Sequence, residues 1–276
     1  MPYPPPFDLC ERARNPGPFR YSLQEARHPL RTAKAVRGRS ARVSERLERS
    51  TRSAGGDMAA RHPGAQAWVP ETGGITELRK AARSCEGCDL YREATQTVFG
   101  EGPAKARLFL VGEQPGDVED QEGEPFVGPA GRLLDQALEE AGIERSRIYL
   151  TNAVKHFKFE HVERGNRRLH KKPTRGEAVA CRPWLIAELN AVKPDLVVAL
   201  GATAAQSLMG TGFRVSTQRG ELFDLDLAEL DEPCEFLATV HPSAVIRLSG
   251  DDRDEALSRF IADLAKAAET VGAGHR

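Results

Sequence analysis

The sequence predicts an α/β protein, a three-layer α/β/α sandwich with a central parallel sheet of about four strands. Two observations carry that prediction. Four short apolar runs recur along the chain: RLFLVG at 107–112, RIYLTN at 147–152, DLVVALG at 195–201 and EFLATV at 235–240. Continuous apolar runs of that length suit parallel strands covered on both faces. Between them lie stretches with helical spacing, and strand–helix alternation is the pattern of parallel crossover units.

Taken in order, residues 1–65 are rich in Arg, Pro, Ser and Gly without a steady apolar period, and read as a disordered arm with a short helix at 41–50. Met58 offers an alternative start to the chain. The folded domain is expected over 72–270. ITELRKAARSC at 75–85 is spaced as an amphipathic helix. PAGRLLDQALEEA at 129–141 fills the first crossover, and GEAVACRPWLIAELNAV at 176–192 fills the one before the third strand. Further helices are expected at 202–209 and 252–270.

A formal net charge of −1 hides an asymmetry. Residues 1–62 carry 13 Lys and Arg against six Asp and Glu, whereas the rest carry 26 against 34. An acidic domain binds nucleic acid only where its basic residues are gathered in one place. No run of 18 apolar residues is present to span a membrane, and the opening MPYPPPFDLCERAR has no apolar leader. Five cysteines, an odd number, argue against a disulfide framework and for a reducing cytosol in which thiols serve metal or redox chemistry.

Ligands of open parallel sheets sit beyond the carboxyl ends of the strands. There the chain places GEQPGDVEDQEGEPFVGPAGRLLD at 112–135, TNAVKHFKF at 151–159 and HPSAVIR at 241–247, which topology should bring to one edge. Each segment alone is ambiguous. The glycines of 112–116 permit close backbone approach to a ligand or simply form a loop. Phe126 is a stacking platform or a core plug. Asn152 has the donor and acceptor needed to read a base edge, or caps a turn. His241 could donate to a carbonyl oxygen or be structural.

In combination, GE-x-PG…PF-V-G-x-AG-x-LLD, TN-x-VK, CRP and HPS resemble the family 4 uracil-DNA glycosylases over about residues 75–265. The resemblance implies that Phe126 stacks on a flipped uracil, that Asn152 bonds its Watson–Crick edge, and that His241 donates to O2 and stabilises the departing anion. A carboxamide set for uracil would present the wrong group to the amino group of cytosine. Uracil-containing DNA, preferably single-stranded, is the implied partner of a monomeric, cytoplasmic, nucleoid-associated enzyme.

Two features depart from that family. His156 stands where a cysteine usually follows TN-x-VK, and a basic insertion holds Arg164, Arg167, Arg168, Lys171, Lys172 and Arg175 around His170. With Gln114 in GEQPG, these resemble the UdgX subgroup, whose members become covalently attached through the histidine of an RR-x-H loop to the abasic site they create. That histidine matches His170. Physically, loss of the base leaves an electrophilic C1′ that a neutral imidazole can capture. Six neighbouring cations are expected to keep the ring neutral, and Glu113 to fix its tautomer and take up the proton. Gln114, in the substrate pocket, cannot act as a base, which suits capture by histidine over attack by water. Arg167, Arg168, Lys171 and Lys172 are expected to grip phosphates as well. Without the resemblance, the same loop reads as a phosphate grip with an incidental histidine. Asp117 and Asp120 are given no chemistry beyond organising the turn.

Cys85-x2-Cys88 is a moderate metal signal by itself. The resemblance places Cys85, Cys88 and Cys181 among the ligands of a 4Fe–4S cluster with His156 in the fourth position, and a structural zinc is the rival for such a Cys3His set. Cys234 is expected in a buried strand and Cys10 in the arm. Besides the self-attaching enzyme, two other readings stand. An ordinary turnover glycosylase would release base without bonding His170 to sugar. A non-catalytic lesion sensor would bind without releasing base.

Overall fold

A computed structural model describes residues 62–162 and 167–273. The arm before residue 62, its expected helix at 41–50, Cys10, Met58 and Arg164 lie outside the described residues.

The folded part begins earlier than Thr72. Ala65 is buried, and the Gly64 amide donates to the Gly87 carbonyl at 2.9 Å, so this stretch is fastened beside the CEGC turn. Helix α1, Ile75–Ala82, buries Ile75, Leu78 and Ala82 on one stripe, and the Glu77 carboxylate caps it by accepting from the Gly74 amide at 3.0 Å.

Four strands are those expected: β1 (Leu108–Gly112), β2 (Ile148–Asn152), a strand at Leu196–Leu200 and another at Cys234–Thr239. In chain order the last two are β5 and β7, because a short hairpin, β3 (Phe159–His161) and β4 (Arg168–His170), precedes them and β6 (Leu222–Leu225) intervenes. The sheet runs β2-β1-β5-β7-β6, with the first four parallel and β6 antiparallel on the edge of β7. The fifth strand adds to the four foreseen. Its sequence, LFDL, is short and carries an aspartate, as edge strands do.

Both sheet faces are covered, which explains the unbroken apolar runs. Phe109, Val111, Tyr149, Val197 and Phe236 face α1 and α4 (Arg175–Val192), with α5 (Ala202–Met209) alongside. Leu108, Leu110, Leu150, Val198 and Leu237 face the helices Pro129–Glu140 and Gly250–Ala273, here α3 and α8. Three short helices complete the described set: α2 at Asp117–Glu122, α6 at Val215–Gln218 and α7 at Pro242–Ile246. No helix among the described residues is long and apolar enough to cross a membrane.

Candidate active site

Strand register builds the site. Gly112 pairs with Asn152 at the carboxyl ends of β1 and β2, so the glycine turn and the carboxamide emerge side by side. A Cβ on Gly112 would collide with the Asn152 Oδ1 and the Phe126 ring, so glycine is what lets all three share this corner. Gly201, at φ 94° after β5, has His241 as the nearest neighbour of an added Cβ. The three strand-end segments therefore do meet at one edge.

Phe126 is held there against its backbone preference. It is buried, with φ of 58°, a left-handed conformation that costs a side-chain-bearing residue about 1–2 kcal/mol. The surroundings over-determine it. The Arg145 guanidinium donates to the Pro125 and Phe126 carbonyls at 3.2 and 3.3 Å, and Gly131 lets the first turn of α3 approach the Phe126 carbonyl. Glu119, buried in α2, accepts from the Gly116 amide at 3.1 Å and the Gly128 amide at 2.9 Å. One carboxylate thus ties the 112–116 turn to the Phe126 loop.

The His241 ring lies 6.2 Å from the Phe126 ring, centroid to centroid, at 29°. The Ser243 amide donates to His241 Nδ1 at 3.2 Å, so the proton of the neutral ring sits on Nε2. Burial, with help from His170 and Arg247, brings the His241 pKa down to about 4. At neutral pH the residue is an uncharged N–H donor. Among the described residues no protein group bonds the Asn152 carboxamide, leaving its donor and acceptor for a ligand.

His170 is half-exposed on β4, with Nε2 3.8 Å from Glu113 Oε1. The other Glu113 oxygen accepts from the Thr203 hydroxyl of α5. The His170 pKa is lowered chiefly by burial, opposed by Glu113 and assisted by Arg247. Burial thus stands first among the causes of its neutrality, ahead of the cationic surroundings from which neutrality was expected.

Arg168 does not face solvent as a phosphate grip. It lies against the Phe157 and Phe159 rings at 5.4 and 4.9 Å and pairs with Asp117 at 2.5 Å and Asp120 at 2.6 Å. Those two aspartates, beyond organising the turn, pin the hairpin to α2. Lys171 is exposed but pairs with Glu160 at 2.8 Å. Arg167 and Lys172 are exposed, as a phosphate contact requires. Gln114 is buried, and its carboxamide serves the hairpin backbone. It donates to the Lys158 and Lys171 carbonyls at 3.2 and 3.0 Å and accepts from the Lys158 amide at 3.1 Å. These bonds hold β3 and β4 to the sheet edge.

Cys85, Cys88 and Cys181 are buried, and Cys85 and Cys88 both help to raise the Cys181 thiol. Burial is the main cause there, pushing Cys181 to about 12 and Cys88 to about 11. N–H groups aim at the sulfurs: Trp184 Nε1 donates to Cys85 at 3.2 Å and the Lys155 amide to Cys181 at 3.3 Å. His156 is buried, its pKa brought down to about 4 by burial. Thr97 spends its proton on the Ala82 carbonyl, so it accepts from His156 Nε2 at 3.0 Å and leaves Nδ1 with a lone pair. Among the described residues no three His, Cys, Asp or Glu side chains stand close enough to hold one metal ion. Three buried sulfurs with N–H donors do fit thiolate ligation once an iron charge replaces the thiol protons. Cys234 starts β7 and is half-buried, less enclosed than foreseen.

Sequence reasoning missed a buried network behind Asn152. Lys155, 1% exposed, donates through Nζ to Glu188 at 2.5 Å and to the Asn152 carbonyl and Thr151 hydroxyl at 2.7 Å each. Glu188 also accepts from Tyr149 at 3.1 Å and the Gly100 amide at 3.0 Å. A glutamate within the apolar run CRPWLIAEL of a buried helix was the available signal.

An open α/β sheet carries an aromatic ring, a carboxamide and an uncharged imidazole donor together at its carboxyl edge. Residues 99–265 match the Uracil DNA glycosylase superfamily, and the chain belongs to that superfamily. It is 36% identical over 192 residues to a type-4 uracil-DNA glycosylase of Thermotoga maritima, covering 69% of this chain and 91% of that protein. Type-4 uracil-DNA glycosylases of Archaeoglobus fulgidus and Pyrobaculum aerophilum are 32% and 34% identical, covering 72% and 63% of this chain and 94% and 85% of theirs.

Proposed function

We propose that the chain excises uracil from DNA and then bonds through His170 to C1′ of the sugar it has uncovered. The observation that carries the reading is the shared edge itself, with Phe126, Asn152 and His241 on one side and the Glu113–His170 pair on the other. The relatives' activity supports its first half.

The flipped uracil stacks on Phe126, and Asn152 matches its Watson–Crick edge. The glycosidic electron pair leaves with N1 of uracil, and the charge spreads to O2, where the His241 Nε2–H donates. The ring nitrogen of His170 turned away from Glu113 supplies its lone pair to C1′. The proton on the nitrogen facing Glu113 passes to that carboxylate. A neutral glycosyl-imidazole is a poor leaving group, so the adduct persists. The present 3.8 Å separation exceeds a hydrogen bond by about 1 Å, and substrate binding has to close it.

Cys85, Cys88, Cys181 and Nδ1 of His156 would hold a 4Fe–4S cluster, which spreads its ligands more widely than a single zinc ion does. Its contribution is to brace the segment leading from Asn152 to the hairpin.

A labelled single strand with one uracil, mixed with the protein and run on a denaturing detergent gel, tests the reading. A retarded band that is missing for thymine DNA and for His170→Ala is expected. Alkali-sensitive abasic sites without that band would mean an ordinary turnover glycosylase.

A further inference from the structure

One cleft beside the site differs from the others in charge. It holds about 380 Å³ between the start of α4 and the far end of α5, and its lining includes Lys172, Thr174, Arg175, Val179, Arg182 and Thr203. No carboxylate lines it. Four other clefts of the described residues each contain at least two: Glu71, Glu229 and Asp231 in one, Glu101 and Glu124 in another, for instance. In a domain with an excess of acidic residues, a carboxylate-free basic cleft is a place for an anion.

Its position is as specific as its charge. Thr203, which lines the cleft, donates to Glu113, and Lys172 follows His170 by two residues, so the cleft lies beside the Glu113–His170 pair. Arg182 is engaged with Glu229 at 2.5 Å and with the Ser207 carbonyl at 3.0 Å, which makes it part of the wall. Lys172 and Arg175 are exposed, and among the described residues neither forms an ion pair. Val179, 52% exposed, gives the same cleft an apolar side.

We infer that this cleft is a subsite for the nucleotide next to the flipped one, with its phosphate on Lys172 and Arg175 and its sugar and base against Val179. The inference rests on the DNA-glycosylase reading and deepens it. The volume suits one small ligand. A nucleotide can enter only by leaving the stack of its own strand, which a single strand does at lower cost than a duplex. The subsite would therefore make single-stranded DNA the better substrate.

The test is binding, read by fluorescence anisotropy across a salt series, to a short single strand centred on a cleavage-resistant 2′-fluoro-deoxyuridine. The Lys172→Gln/Arg175→Gln variant should bind about tenfold more weakly, and its salt slope should fall by about 0.7, the value for one phosphate contact on a single strand. Replacing the phosphate on one side of the uridine by a neutral methylphosphonate should weaken the wild type by a similar factor and leave the variant unchanged. Equal responses of both proteins to methylphosphonate on either side would overturn the subsite. Uracil release by the wild type from an ordinary strand is measured separately. Its absence would sink the glycosylase reading, while the methylphosphonate comparison, repeated on a thymine strand, would still decide the cleft.

Discussion

Glu113 divides its carboxylate between two residues, with one oxygen held by the Thr203 hydroxyl and the other 3.8 Å from His170 Nε2. The first contact aims the second. Glu113→Gln keeps the shape but cannot accept a proton, and the detergent-stable adduct should form about a hundredfold more slowly. Uracil release, which does not need that proton transfer, should fall much less. Parallel loss of both products in single-turnover assays would show that Glu113 acts on the glycosidic step instead.

His241 is set as a neutral donor by burial and by the Ser243 amide. Its removal in His241→Ala should slow uracil release by about 10²–10³-fold, as for other donors aimed at developing charge.

The same histidine makes stability depend on pH. Its pKa is about 4 in the folded chain against 6.5 for the ordinary residue, so between those values the unfolded chain binds more protons. Its contribution is complete above about pH 6.5 and is lost as pH falls toward 4. Denaturant titrations should show a shallower acid decline for His241→Gln than for the wild type. Identical slopes would mean that His241 titrates normally.

The buried Lys155–Glu188 pair fixes the Asn152 carbonyl. Lys155→Met alone strands a carboxylate and should destabilise by about 3–5 kcal/mol, whereas Lys155→Met with Glu188→Leu removes the stranded charge but leaves the Tyr149 hydroxyl and Gly100 amide without their acceptor, and should recover only part of that loss. If the pair positions Asn152, the double variant should still bind free uracil poorly and discriminate uracil from cytosine less. Full recovery of uracil affinity alongside stability would reduce the pair to a structural role.

Gln114 grips both strands of the hairpin. Gln114→Ala should speed hydrogen exchange at the Lys158 amide and lower adduct yield more than base release. Unchanged exchange would mean that the Arg168 anchors suffice.

The parallel strands and Phe126, Asn152 and His241 were legible because parallel sheets bury apolar runs and display polar residues where those runs stop. The hairpin was not, since FEH and RLH are three-residue strands held in place by Gln114, Asp117 and Asp120, all far away in sequence. Arg168 misled because a cation in a basic stretch looks solvated until Asp117 and Asp120 are seen to face it. Lys155 and Glu188 sit 33 residues apart, and only the packing of α4 on β2 makes them partners.

Glu119 joins the turn that carries Glu113 to the loop that carries Phe126. The two walls of the pocket consequently share a single peg. A substitution there cannot widen one wall while sparing the other, so a change of base specificity gained by reshaping the Phe126 loop would be felt at Glu113 as well. If His170 captures the sugar as proposed, tolerance for new bases and retention of that capture are placed in opposition, and variation in specificity would come through the Asn152 side, which that carboxylate does not hold.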